Sequence, residues 1–201
     1  MKIQYKIDRI DHNIFYKKNI DNSIISEIEK IKSDKKILFI YDGKIQQKIV
    51  EQLFRKLKNS GCDVSAYQFK GNKYNKTEKT LFSLINLMMN KKFTKKSLLI
   101  SLGGGVIGDV SALAASLYYR GVLYFYIPST MTSIVDSCIG GKTGINYKNI
   151  INSIGNYYHA NSVFIYHDIL KNIPDREYYS GIPEIIKCGL LKKNKKINIL
   201  L

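Results

Sequence analysis

The segment SLGGGVIGD (101–109) sets Gly103, Gly104 and Gly105 at the end of an apolar run, with Gly108 and Asp109 close behind. Glycine backbone can turn tightly and approach a ligand closely. A helix that starts after such a turn offers unpaired N–H groups and a partial positive charge, which suits a diphosphate. A strand–helix turn that binds nothing has the same pattern, so the glycines alone do not decide. The segment IPSTMTSIVDSCIGGKTGIN (127–146) gathers the hydroxyls of Ser129, Thr130, Ser133, Ser137 and Thr143 around one carboxylate, Asp136, and one ammonium, Lys142. Its GGKTG stretch is not a Walker loop, because GxxxxGK[ST] needs glycine where Asp136 stands. It reads either as a solvated loop or as a polar substrate site beside a phosphate-cradling turn. In LKNIPDREYYSGIPEIIKCGLL (170–191), Glu184 and Lys187 share one helix face, as a surface ion pair or as a pair turned into a cleft.

The elements that must position these groups alternate. KKILFIYD (35–42), CDVSAYQF (62–69), SLLISLGG (97–104) and VLYFYIPST (122–130) read as strands. Apolar residues at helical spacing predict helices over 45–61 and 78–92, the first stopped by Gly61, and the small-residue stretch 109–121 reads as a third helix. Repeated strand–helix–strand units imply an α/β, Rossmann-like, mostly parallel sheet with helices on both faces. Ligands of such sheets bind outside the carboxyl ends of the strands, which directs attention to the loops after Ile40, Leu102 and Ile127.

Composition bounds the rest. The chain has 201 residues, 45% of them hydrophobic, enough to bury a core. No apolar run reaches the length needed to cross a bilayer, and no signal peptide is visible, so a cytoplasmic location without membrane contact is expected. Cys62, Cys138 and Cys188 suggest neither a disulfide framework nor a cysteine zinc site, and His12, His159 and His167 show no metal-binding spacing. Thirty-two Lys and Arg against 16 Asp and Glu give a net charge of +16. The lysines are scattered, so nucleic acid is not the expected partner; a positive field that attracts a phosphorylated substrate is.

GGGVIGD, YYRG, IPST, VDSCIGGKTGIN and LKNIPDREYYSGIPEIIKCGLL, in this order, resemble 3-dehydroquinate synthase, densely from about Ser101 to Leu191. The resemblance implies an NAD-binding domain over 1–175. The first helix of a metal- and substrate-binding helical domain would then occupy 176–201. It also implies the reaction, in which NAD and a divalent metal (zinc or cobalt) assist loss of phosphate from a seven-carbon sugar-acid phosphate to give 3-dehydroquinate in the shikimate pathway. Gly104, Gly105, Val106 and Asp109 match family positions at the NAD pyrophosphate and ribose, Asp42 an adenosine-side acid, and Ser129 and Thr130 a pair near the nicotinamide. Asp136, Lys142 and Asn152 match substrate- and cofactor-binding positions, and Lys187 a lysine that contacts substrate. Glu184 matches a metal ligand. Arg120 matches an arginine that reaches the substrate phosphate across a homodimer.

The sequence departs from that pattern in three places. A family lysine falls on Ile151, a family glutamate on Asn72 and a family lysine on Asn75; Lys73, Lys76 and Lys148 are the candidates to stand in for the lost charge. The two histidine metal ligands of the family would lie well beyond Glu184, and the apolar run at 197–201 has no partner segment, so a truncated chain, catalytically inactive by itself, is expected. The alternatives are another sugar-phosphate cyclase and an inactive remnant with weak nucleotide binding.

Overall fold

Every residue of Leu98–Gly103 is buried, as a parallel strand covered on both faces requires. A computed structural model of the chain, describing residues 2–7, 10–171 and 173–191, shows what covers it. The first half runs β1 (Lys2–Ile7), β2 (Ile10–Lys17), α1 (Ser23–Lys30), β3 (Lys36–Asp42), α2 (Gln47–Asn59), β4 (Asp63–Phe69), α3 (Glu78–Asn90), β5 (Leu98–Gly103) and α4 (Gly105–Leu117). Then follow β6 (Leu123–Pro128), a π-helical turn (Ser133–Ser137), α5 (Cys138–Gly140), β7 (Lys142–Tyr147), β8 (Ile150–Tyr157) and β9 (Ser162–Tyr166). Three helices, α6 (His167–Leu170), α7 (Asp175–Tyr179) and α8 (Ile182–Leu191), end the described chain.

The sheet has seven strands in the order β1-β2-β9-β6-β5-β3-β4, and only the β1–β2 pair is antiparallel. Alternation along β3 sorts its side chains between two cores. Ile37 and Phe39 pack with Ile24 of α1 and Leu53 and Leu57 of α2. Leu38 and Ile40 pack with Leu84 of α3 and Val110 and Leu113 of α4 on the opposite face. Burying each such side chain contributes about 1.5–3 kcal/mol. The expected α/β sheet with helices on both faces is therefore what forms. Among the described residues no helix is long and apolar enough to cross a membrane.

Three expectations need correction. The helix after the glycines spans Gly105–Leu117, not 109–121, so Gly108 and Asp109 lie within its first turns. Gly104 is its N-cap with φ −77° and ψ −172°, an extended conformation open to any residue. What demands glycine here is proximity: a Cβ on Gly103 would lie 2.5 Å from Ile107 Cγ1, and one on Gly108 2.6 Å from the Tyr126 ring. The helix stops at Leu117 because Tyr119, Arg120 and Gly121 take φ of 48°, 61° and 117°. Finally, the polar Gly-rich segment is not a loop throughout: it ends in a strand, Lys142–Tyr147, paired antiparallel with Ile150–Tyr157 as a separate hairpin. The apolar run at 197–201 lies outside the described residues.

Candidate functional site

β3 and β5 are neighbours, yet the chain leaves β3 toward β4 and β5 toward β6, in opposite directions across the sheet. Their carboxyl ends therefore diverge, and the crevice between them is the binding place of such sheets. A cleft of about 480 Å³ lies there, lined by Asp42, Gly104, Gly105, Val106, Ser129 and Thr130 among others. All six are sequence candidates, and each arrives from the end of a strand. Asp42 closes β3, is 7% exposed and accepts backbone N–H groups from Lys44 at 3.0 Å and Gly71 at 3.3 Å. Gly71 must be bare, because a Cβ there would lie 2.4 Å from the Asp42 carboxylate. Gly104, Gly105 and Val106 open α4, whose first-turn N–H groups have no intrahelical acceptor and no side-chain cap. Ser129 and Thr130 follow β6; Ser129 N–H is tied to Gly103 O at 2.9 Å, and Ser133 accepts from the Thr130 N–H at 3.1 Å.

A second cleft, about 660 Å³, opens between α4, the π-helical turn and the β7–β8 hairpin, and brings Asp109, Asp136, Lys142 and Asn152 together. Lys76 joins its two sides: its Nζ lies 2.5 Å from both Asp109 Oδ2 and Asn152 Oδ1. Lys76 is 9% exposed. Burial pushes the Asp109 carboxyl above its ordinary value; the Lys76 ammonium pulls it down without cancelling that, and the nearby Asp136 charge adds to the rise. Lys76 stands one residue after Asn75, which itself donates to Lys70 O at 3.0 Å and closes its own loop. Sequence reasoning offered Lys76 only beside Lys73 and Lys148, since nothing in a lysine-rich stretch marks which ammonium is buried. Lys73 and Lys148 instead line a shallower opening shared with Lys76 and Asn152. Ile151, where a lysine was expected, is 76% exposed.

Glu184 and Lys187 form an ion pair on α8, and neither lines the two clefts. The hydrogen bond to Glu184 raises the Lys187 pKa, with a further contribution from Asp136. Among the described residues no group of three His, Cys, Asp or Glu side chains could hold a metal. His12 Nδ1 lies 2.8 Å from Ala160 O, and its ring meets that of His159 at 5.3 Å. Arg120 is exposed, just beyond the C-terminal end of α4, and lines neither cleft.

The fold is that of the sugar phosphate cyclases. The structure matches 2-deoxy-scyllo-inosose synthase complexed with carbaglucose-6-phosphate, NAD+ and Co2+ with a TM-score of 0.83 at 24% identity, over 90% of this chain and 49% of that one. It matches 2-epi-5-epi-valiolone synthase from Streptomyces hygroscopicus subsp. jinggangensis 5008, with NAD+ and Zn2+ bound, with a TM-score of 0.80 at 23% identity, over 91% and 50% of the two chains. The family model described as 3-dehydroquinate synthase N-terminal matches residues 66–180, more than half of the chain, and the chain belongs to that family. A 3-dehydroquinate synthase from Clostridium tetani (strain Massachusetts / E88) is 37% identical over 190 residues, which is 94% of this chain. The chain spans about half the length of the curated relatives it matches.

Proposed function

We propose that this chain is the nucleotide-binding half of a 3-dehydroquinate synthase. It would bind NAD in the cleft at the end of β3 and β5, and a seven-carbon sugar-acid phosphate in the cleft beside it. The uncapped first turn of α4, opening on the sheet's switch point next to buried Asp42, carries the reading. There, the N–H groups of Gly104, Gly105 and Val106 hold the diphosphate, and Asp42 accepts ribose hydroxyls on the adenosine side. Ser129 and Thr130 orient the nicotinamide end. NAD, when bound, supplies the transient removal and return of a hydride. Lys142 and Asn152 hold the substrate, with Asp109 and Asp136 setting the charge around its hydroxyls. Lys187 contacts the substrate from α8, and Glu184 serves as one ligand of a divalent metal, zinc or cobalt. The 1–175 segment is then the nucleotide domain, and 176–201 the start of the helical domain. Arg120, which lines neither cleft of its own protomer, reaches the substrate phosphate of a partner in a homodimer working in the cytoplasm.

Calorimetric titration of the chain with NAD tests this directly. Saturable binding tighter than about 1 mM is expected. The exposed Ile151, in place of a charge, favours a second reading: a remnant that has lost its nucleotide. Absence of heat at millimolar NAD would select that second reading.

A further inference from the structure

Tyr126 lies directly beneath the glycine turn. β6 delivers it to the sheet face covered by α4, where it is 2% exposed. Its hydroxyl donates to the carbonyl of Gly104 at 3.0 Å and reaches that of Gly103 at 3.3 Å. Gly108 admits the ring, since a Cβ there would lie 2.6 Å from Cζ and from the hydroxyl oxygen.

In a planar trans peptide unit the C=O and the following N–H point in opposite directions. Holding Gly103 O therefore aims the N–H of Gly104, and holding Gly104 O aims the N–H of Gly105. Both residues line the nucleotide cleft. Consecutive glycines have wide backbone freedom, so these peptide planes are the ones most able to rotate if left unbraced. Each carbonyl is gripped from a second side as well, Gly103 O by Ser129 N–H at 2.9 Å and Gly104 O by Gly108 N–H at 3.1 Å. The phenol contributes the contact that spans the two planes.

We infer that Tyr126 is a positioning residue of the nucleotide site: its buried hydroxyl fixes the Gly103 and Gly104 peptide planes so that the next two N–H groups face the cleft. The inference rests on the reading of that cleft as a diphosphate site. Burial holds the phenol well above its ordinary pKa, which favours the protonated, donating form. Tyr124 differs: its hydroxyl meets Ser101 Oγ at 2.6 Å and Gly108 O at 3.3 Å, deeper in the core.

The test compares the full chain with Tyr126→Phe, titrated with NAD, ADP and adenosine, alongside backbone amide NMR of both without ligand. About tenfold weaker NAD and ADP binding is expected, with adenosine unchanged. The Gly104 and Gly105 amide resonances should shift or broaden before any ligand is added. A merely structural hydroxyl would instead weaken all three ligands together. Tyr124→Phe is the control, expected to lower the melting temperature and keep the ADP-to-adenosine ratio. Should Tyr126→Phe fail to fold, Gly108→Ala, which displaces the ring, should give the same split. Unchanged ADP affinity or unmoved glycine amides in the variant would overturn the brace. A wild-type chain that binds no ADP would overturn the diphosphate reading, and the ligand-free spectra would still judge Tyr126.

Discussion

Lys76 holds two acceptors that belong to different parts of the chain, Asp109 on α4 and Asn152 on the hairpin, each at 2.5 Å. Removing one partner of an enclosed pair leaves the other charge without compensation, which is where the cost arises. With side-chain exposures of 11% and 20% for Lys76 and Asp109, Lys76→Met should cost about 2 kcal/mol, seen as a lower urea midpoint with an unchanged slope. Restoring full stability in that variant would require no partner for Asp109, so an unshifted midpoint would show the contact to be idle. Asp109 has a pH signature of its own. Its folded pKa is raised above the ordinary 3.8, mainly by burial, so the folded state binds the proton more tightly than the unfolded one. Its contribution to stability is therefore full below about pH 3.8 and is lost as pH rises through the raised folded value. Asp21 and Asp34, lowered by hydrogen bonds that outweigh their desolvation, act in the opposite sense at the acid end. Asp109→Asn should consequently gain stability relative to the parent as pH climbs from 4 toward 7, read from melting temperatures of both across that range. A constant difference between the two curves would contradict the assigned shift.

At the scale of elements, the first turn of α4 does two things that a single substitution can separate. A carboxylate there interacts favourably with the helix dipole and stabilises by about 0.3–1 kcal/mol, yet it occupies the place of an anionic ligand. Val106 is partly buried and lines the cleft at the ends of β3 and β5. Val106→Asp should leave the melting temperature within a few degrees, because dipole gain offsets lost packing, while NAD affinity falls at least about tenfold. Retained NAD binding would move the ligand away from this turn. The same elements show what was legible in the sequence. β3, β4, β5 and β6 announce themselves as short apolar runs, and the residues at their ends, Asp42, Gly104, Gly105, Ser129 and Thr130, do meet in one cleft. The start of α4 was misjudged because glycines read as breakers, although their role here is to let Ile107 and Tyr126 pack close. β7 and β8 escaped notice because a hairpin whose second strand is exposed throughout, with Lys148, Asn149 and Asn152 in left-handed conformations, carries no apolar alternation. Lys76 could not be singled out from Lys73 and Lys148, and Tyr126 was missed, for a related reason: burial of one lysine among many, or the reach of one phenol to a carbonyl, is set by topology and leaves no local pattern.

For the whole molecule the decisive quantity is charge. A net +16 spread over a chain of 201 residues makes a field felt by any anion near the sheet's carboxyl edge. The lysines are scattered along the sequence, and the carboxylates Asp42, Asp109 and Asp136 lie at the clefts themselves. The field therefore attracts phosphorylated ligands generally, and local geometry selects among them. These two contributions respond differently to salt. Long-range attraction is screened within about 8 Å at physiological ionic strength, whereas hydrogen bonds from the α4 amides at contact distance are not. Raising sodium chloride from about 0.05 M to about 0.5 M should weaken ADP binding several-fold, through its association rate, and leave adenosine binding nearly unchanged. The residual ADP affinity at high salt then measures what the glycine turn contributes once the field is removed. If ADP affinity proved independent of salt, the excess lysines would have no part in capturing the ligand, and the positive charge would need an explanation unconnected with this site.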